Sequence, residues 1–563
     1  MSTRTKLRLL SGAASITVTL VSNACSGGGS GTTPVTPTTP TTTVEVPDKG
    51  GTLVIAGSGE PTCADPLARC GDFLTAVLEM YEHTIPRAFD FIDGAYRPGA
   101  LLAGEPTLEA GPPQRVTYRI NPKAVWSDGV PITSSDFRYT WDQTLNGKDI
   151  AVRTGYEQIA SVDDSDPRTA VVTFKEPYAA WKSLFSRRRP LPQHLLDGKD
   201  RTAETRDGYR WSGGPWIIDH WTRGQEIKLV PNPNWWGAKP NLDAVVWKTI
   251  PDATAALAAY KSGQVSYTDR TPAEASTAEL RALPDTKVEV AIDFGFNYIQ
   301  FNVERPPFDR VAVRQALAYA TDRDAFVGQI FGQQQPDLKA LQSFSTPAAG
   351  PLYGDSFKRY RRDLTQVDRL MRGEGWAKGP DGIWAKDDQR AKFQLDFNAG
   401  SSQLVLGQQI LQSQWREAGF DVTTAGLTVN ALNDARTKGT YQVHLPGISA
   451  SDDPNRCAQF CARNIPSPEN GNQGSNTSRI ADPALDQAWA RVASELDPAK
   501  QLAALHQAND LLADLVPAIP TGPNLNVIVY NTSRLAGPIR VNPGPISLFF
   551  NLNEWWCRGG RCM

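Results

Sequence analysis

The residues most able to do chemistry are few. Six of the seven cysteines fall in three close pairs, Cys63/Cys70, Cys457/Cys461 and Cys557/Cys562, and Cys25 stands apart. Close thiols can grip a metal or oxidise to disulfides. None of these spacings is the CxxC of a zinc site, and two of the pairs have no histidine nearby. An even set in an exported chain points to disulfides. Six thiols can pair in many ways, of which the local pairing is the simplest. Each small loop closed in this way would add on the order of 2 kcal/mol by restricting the unfolded chain.

The other reactive side chains make no familiar catalytic pattern. His83, His194, His220, His444 and His506 form no HExxH, and the chain has neither a GxSxG elbow nor a GxxxxGK[ST] phosphate loop. Acids cluster at Asp163/Asp164/Asp166 and at Asp452/Asp453. "DDSDP" lacks the spaced ligands and the glycine of a calcium loop, so it reads as a solvated turn. Carboxylate pairs for sugar hydrolysis are rarely adjacent in sequence, so such a pair elsewhere in the chain stays open as a weak alternative. The chain is expected to be no enzyme and to carry neither metal nor cofactor.

A chain of 563 residues needs several lobes. A hydrophobic share of 40% with 21% charged residues is ordinary for a globular protein. A formal net charge of −2 lacks the basic excess of a nucleic-acid binder. The 15 tryptophans offer flat area for core packing, or for sugars, peptides and other amphipathic ligands.

The first 25 residues read as an export signal. Arg4, Lys6 and Arg8 precede the apolar stretch Leu9 to Val21, which is shorter than the roughly 20 residues a membrane span requires. The stretch leads to Cys25 and resembles a bacterial lipoprotein signal, in which that thiol takes a diacylglycerol. Ser22 stands where such signals usually have leucine. The Thr/Pro/Gly tract that follows has no apolar pattern to bury and favours extended conformers, so residues 26–49 are expected to be a disordered tether. No later segment is apolar enough to cross a membrane.

Strands and helices then mix without a fixed repeat, which reads as α/β lobes. "GTLVIAGSG" from Gly51 is an apolar strand closed by glycines, and "RVTYRI", "TAVVTF" and "EIKLV" alternate as strands do. Thr133 with Asp136 can cap a helix that carries Phe137, Trp141 and Leu145 on one face and stops at Gly147. Asp482-Pro483 and Asp497-Pro498 open two more helices. There the aspartate oxygen takes an orphan N–H, and proline has none to lose.

"KAVWSDGVPITSSDFRYTWD" (Lys123–Asp142) resembles the signature of the family 5 extracellular solute-binding proteins of ABC importers. "GGPWIIDHWTRGQEIKLVPNPNWWG" from Gly213, "NYIQFNVERPPFDRVAVRQALAYATDRD" from Asn297 and "QQILQSQWREAGFDV" from Gln408 are similar to further family segments in the same order. The resemblance implies a periplasmic-binding-protein-like fold of the cluster C type. In it two hinged α/β lobes close on a solute, with an extra domain in the N-terminal half. The expected organisation is lobe I from 50–66, 170–285 and 515–563, the extra domain over 67–169, and lobe II over 286–514. The implied protein is a monomer, lipid-anchored on the outer face of the cell membrane. Its partners are a small solute, expected to be an oligopeptide, and the membrane subunits of an ABC permease; no nucleic acid is expected.

The family's lower-lobe contact segment matches "HLPGISASDDPNRCAQFC" from His444, where Gly447, Ile448, Ser449, Ala450, Ser451 and Asp452 are the expected ligand contacts. In peptide-binding members an aspartate shortly before an acid-Pro step pairs with the ligand α-amine. With Asp453-Pro454 as that step, the position holds Ala450. Either Asp452 serves instead, or a free N-terminus is not read. Across the cleft, Arg69, Asp72 and Phe73 are expected to face the ligand, and Asn524 lies near a third contact segment.

Overall fold

Strand Thr52–Gly57 shows how the chain builds its first layer. Its side chains alternate between two faces. Leu53 and Ile55 enter one core with Trp247 and Tyr530, while Val54 and Ala56 enter another with Ala256 and Tyr260 of a covering helix. A strand apolar on both faces belongs inside a sheet, and this one lies between the parallel strands Ala244–Thr249 and Tyr267–Thr268. The computed structural model describes residues 46–57, 59–71, 76–268, 274–448, 451, 453–542 and 549–563.

One sheet runs through both lobes. In spatial order its strands are 421–427, 392–398, 443–444, 286–301, 518–531, 267–268, 52–57, 244–249, 226–231 and 216–222, with 447–448 also paired to 286–301. Thr286–Phe301 and Ala518–Asn531 are the two long strands, paired antiparallel along most of their length. At one end Tyr530 pairs with Tyr267 of lobe I, and at the other Gln300 pairs with His444 of lobe II. This ribbon is the covalent and hydrogen-bonded bridge between lobes. Lobe II packs its own core, including Phe301, Phe308, Phe344, Phe393, Trp415 and Trp489.

The N-terminal half also holds a separate four-stranded antiparallel sheet, Thr107–Glu109, Arg115–Arg119, Thr169–Phe174 and Ile159–Asp166 in spatial order. Its core joins Trp126, Phe137 and Tyr118 to Trp181 and Phe185, residues that lie C-terminal to position 169. Asp163, Asp164 and Asp166 stand on the last strand of that sheet, which corrects the reading of "DDSDP" as a turn. The turn falls at Pro167-Arg168, where the Arg168 N–H donates to Asp166 (3.0 Å), and strand pairing carries Asp163 opposite Val171.

The Trp-Ser-Asp-Gly motif is architectural. Gly129 takes the left-handed φ of 89° that the turn requires, and its N–H donates to the Trp126 carbonyl at 2.9 Å. Trp126 is fully buried and donates from Nε1 to Asp136 (3.2 Å), whose carboxylate also accepts from Thr133 N–H (3.0 Å) and Gln193 N–H (2.9 Å). Burial pushes the Asp136 carboxyl up, against these three donors. One carboxylate thus joins the turn, the start of helix Ser134–Asn146 and the 193 segment. The expected caps also form, with Asp482 accepting from Leu485 N–H at 2.8 Å and Asp497 from Ala499 N–H at 3.0 Å.

The cysteines pair locally as Cys63–Cys70, Cys457–Cys461 and Cys557–Cys562, with Cα separations of 5.3, 4.6 and 4.7 Å. Cys25 lies outside the described residues. No helix among the described residues is long and apolar enough to cross a membrane.

Candidate ligand cleft

The ribbon breaks its register where it passes from lobe to lobe. Ile292 pairs with Leu525 and Phe296 with Pro523. Asp293, Phe294 and Gly295 therefore stand opposite Asn524 alone, an insertion that bends the strand and frees it from the ladder. Just past this bulge, Phe296 also pairs with Ile448 and Asn297 with Gly447.

Two of the expected contacts meet here. Asn297 donates from Nδ2 to Asn524 Oδ1 at 3.0 Å, and its backbone carbonyl accepts from Thr521 Oγ1 at 2.8 Å. Gly447 is exposed, and a Cβ on it would come within 3.1 Å of Asn297 Oδ1. Asn524, Asn297 and Gly447 thus form one polar patch at the lobe crossing, contributed by three strands.

The segment after Gly447 is organised by short side-chain to backbone bonds. Asp453 N–H donates to Ser451 Oγ at 3.2 Å, Asn455 N–H to Asp453 Oδ1 at 2.9 Å, and Cys457 N–H to Asn455 Oδ1 at 2.8 Å. Such local rings replace a sheet or helix ladder and let polar side chains shape a loop. Arg456, 4% exposed, locks it from below. Its guanidinium donates to the carbonyls of Phe344 (3.2 Å) and Asp453 (3.3 Å) and lies 5.6 Å from the centre of the Phe296 ring. Burial lowers the Arg456 pKa, with Asp453 opposing the shift. The Cys457–Cys461 bridge closes the turn that follows.

That loop forms one wall of a chamber of about 660 Å³. Asp453, Asn455 and Cys457 line it from lobe II, and Gly155, Gln158 and Tyr178 from the segments flanking the four-stranded sheet. The two bodies touch at its edge, where Ala179 N–H donates to the Ala493 carbonyl at 2.8 Å. They touch again at the bulge: Phe294 meets Phe91 of the extra-domain hairpin edge-on at 5.3 Å, in a small core with Ala349.

Ser451 is half-buried within the loop. Arg69 is exposed on the short turn Arg69–Gly71, and its N–H bonds the Asp149 carbonyl at 2.9 Å; no described contact joins it to Gly447 or Asn524. Asp72, Phe73, Ser449, Ala450 and Asp452 lie outside the described residues, as does the side chain of Ile448. Sequence reading passed over Asp293, Asn297 and Arg456. Asn297 begins a segment quoted for its resemblance, and Gly295 inside a strand is the ordinary sign of a bulge. Nothing in the sequence marks Arg456. Among the described residues no cluster of three or more His, Cys, Asp or Glu could hold a metal ion.

Two cores bridged by one crossing ribbon, with a polar patch at the crossing and a chamber elsewhere between the two bodies, have the layout of a two-lobed clamp. The sequence model of the bacterial extracellular solute-binding proteins, family 5, matches residues 102–463, more than half of the chain, and this protein belongs to that family. It is 28% identical over 451 residues to the oligopeptide-binding protein OppA of Mycobacterium tuberculosis, covering 77% of this chain and 74% of that one. The fold matches the periplasmic EDTA-binding protein EppA with a TM-score of 0.80 at 22% identity, over 93% of this chain and 99% of the other. It also matches the Bacillus subtilis oligopeptide-binding protein AppA, solved with a nonapeptide, with a TM-score of 0.70 at 21% identity over 91% and 100%. The relatives are transporter solute-binding proteins rather than enzymes, and membership places the chain outside the cytoplasm.

Proposed function

We propose that this protein is the lipid-anchored receptor of an ABC importer, which captures oligopeptides between its lobes and hands them to the permease. The observation that carries the reading is the Asn297–Asn524–Gly447 patch at the lobe crossing, in a chain whose relatives include peptide-binding proteins. Amide side chains and an exposed glycine backbone offer both donors and acceptors, which is what a peptide main chain needs. The chamber of about 660 Å³ falls within the range of ligand pockets.

In this reading Gly447, Ile448, Ser449, Ala450, Ser451 and Asp452 form the lower contact segment, Arg69, Asp72 and Phe73 the upper one, and Asn524 the third. The domain limits follow the resemblance, with the extra domain over 67–169 and lobe II over 286–514. Cys25 carries the lipid and residues 26–49 the tether, so the receptor stays beside its permease and is free to turn. One acyl chain holds only marginally, so a diacyl anchor suits the task. Changing Cys25 to alanine should then release the protein from the membrane fraction.

A ligand that binds only the folded state raises the melting temperature. Purified full chain should therefore melt higher with pooled oligopeptides than without. Shifts with oligosaccharides or other amphipathic solutes and none with peptides would keep the receptor and replace its solute; the EDTA-binding relative favours keeping that second reading in view. A cleft that accepts no solute and never closes would instead mark a non-transport envelope protein, a scaffold or regulator, on the same fold.

A further inference from the structure

The long sheet ends in an aromatic groove that the solute reading leaves unused. Its last strand, Trp216–Thr222, and the segment 195–211 line a cavity of about 500 Å³. Four strands separate that strand from the crossing ribbon, and no residue of the lobe crossing or of the larger chamber enters the cavity. Trp211 and Trp221 are half-buried there, while Trp216 and Trp247 of the core behind them are buried. Both open rings are braced. Trp211 stacks on the buried Tyr209 with ring centres 4.1 Å apart and planes 15° from parallel, and it meets Trp126 edge-on at 5.8 Å. Trp221 donates from Nε1 to Glu60 at 2.8 Å, and the Arg223 guanidinium lies 3.7 Å from the centre of its ring. Arg223 is fixed in turn by the carbonyls of Pro61 (2.7 Å) and Arg206.

Rings fixed before a ligand arrives lose no rotamer freedom on binding, so a braced pair is a ready platform for an apolar face. The rim supplies polar groups of both signs: Lys199 and Arg210 against Glu204, Asp207 and Asp219. Lys199 pairs with Glu204 at 3.8 Å and Asp219 with Lys228 at 3.2 Å, so the charges nearly cancel. Arg210 is exposed, and its side chain makes no hydrogen bond or ion pair among the described residues, which leaves its donors available. A flat apolar floor inside a rim of balanced charge suits a ligand with one apolar face, many hydroxyls and no net charge. A sugar ring has that character. An extended peptide laid along the strand is the poorer fit, because the strand's register slips between Ile218 and His220 and a bulge breaks up a strand edge.

We propose that this groove is a second binding site, for a neutral oligosaccharide. Sugar rings stack on Trp211 and Trp221, and their hydroxyls bond Arg210, Glu204 and Asp219. The site is separate from the solute cleft and independent of which solute that cleft takes. The chain works outside the cytoplasm, where the groove fastens it to surface polysaccharide and leaves the cleft free.

The test titrates the full chain calorimetrically with a panel of neutral hexasaccharides built of glucose, mannose, galactose, arabinose or N-acetylglucosamine. The wild type should bind at least one of them. Trp221→Ala should weaken that binding about tenfold, as the loss of a tryptophan anchor does. Arg210→Ala removes an exposed side chain with no partner among the described residues, so it should weaken sugar binding severalfold at an unchanged melting temperature. Neither variant should alter the melting shift given by pooled oligopeptides, which reports on the cleft. A panel without a binder overturns the proposal. Sugar binding that both variants leave intact also overturns it, since the sugar then sits elsewhere. An oligopeptide shift lost in both variants would put a peptide on the strand edge in place of the sugar, and would overturn it as well.

Discussion

Asn297 Nδ2 donates to Asn524 Oδ1 at 3.0 Å, linking the two long strands at the point where they leave one lobe for the other. The bond joins a residue that the sequence pointed to with one that it did not. Both side chains are amides, the same group that a peptide main chain offers.

Replacing Asn524 with alanine should weaken solute binding about tenfold, while stability falls by only about 1–2 kcal/mol, the net worth of the hydrogen bonding its amide makes. Titration calorimetry and urea unfolding measure the two separately. A loss of stability with full binding would show the pair to be a strut only.

Gly447 tests how close a ligand comes to the backbone. A methyl group there would approach Asn297 Oδ1 to 3.1 Å, so Gly447→Ala must push the asparagine aside. The variant should fold with near wild-type melting behaviour and bind the native solute more weakly.

Asp65 and Arg201 form a buried pair, with the guanidinium Nε at 2.8 and 2.9 Å from the two carboxylate oxygens. Arg201 also reaches Gln143 at 2.7 Å, and Asp65 accepts from Thr202 at 2.8 Å. The pair ties the Cys63–Cys70 loop to the helix Ser134–Asn146 of the extra domain. Arg201→Met would strand a buried carboxylate and should cost about 3–5 kcal/mol in chemical denaturation. Changing both partners to apolar residues should restore much of that loss.

Burial pushes the Asp293 carboxyl from its ordinary 3.8 up to about 6, against the pull of its two N–H donors. Raised in the folded state, the group binds its proton more tightly there than in the unfolded chain. Its contribution is therefore fully present below about pH 4 and is lost as pH rises through 6, a swing of roughly 3 kcal/mol. Comparing the empty wild type with Asp293→Asn across pH 4–7 should show the variant gaining relative stability as pH rises. Parallel pH profiles would mean that the carboxylate is better solvated than its burial implies.

Much of the architecture was legible because it is local. The Asp-Pro starts of two helices, the alternation of Thr52–Gly57 and the Trp-Ser-Asp-Gly turn each need only a few neighbouring residues to declare themselves. The local pairing of the cysteines was likewise the simplest reading of their spacing. The acids of "DDSDP" misled for the opposite reason. Their composition says turn, but strand pairing across the hairpin extends the ladder through Asp163 and moves the turn to Pro167.

By itself the sequence determined the α/β class and the order of its segments, which follow from periodicity, caps and turn residues, and its resemblance to family segments in the same order pointed to the family. Only the tertiary structure decided that Asp293 faces Asn524 in a bulge, that Asn297 and Gly447 join them, and that Arg456 supports the loop beside them. Those residues are 150 or more positions apart between the first strand and the loop, and more than 220 between the two strands of the ribbon. A register break and a buried unpaired charge belong to strands meeting in space, and a one-dimensional pattern holds no signal for where such strands slip past each other.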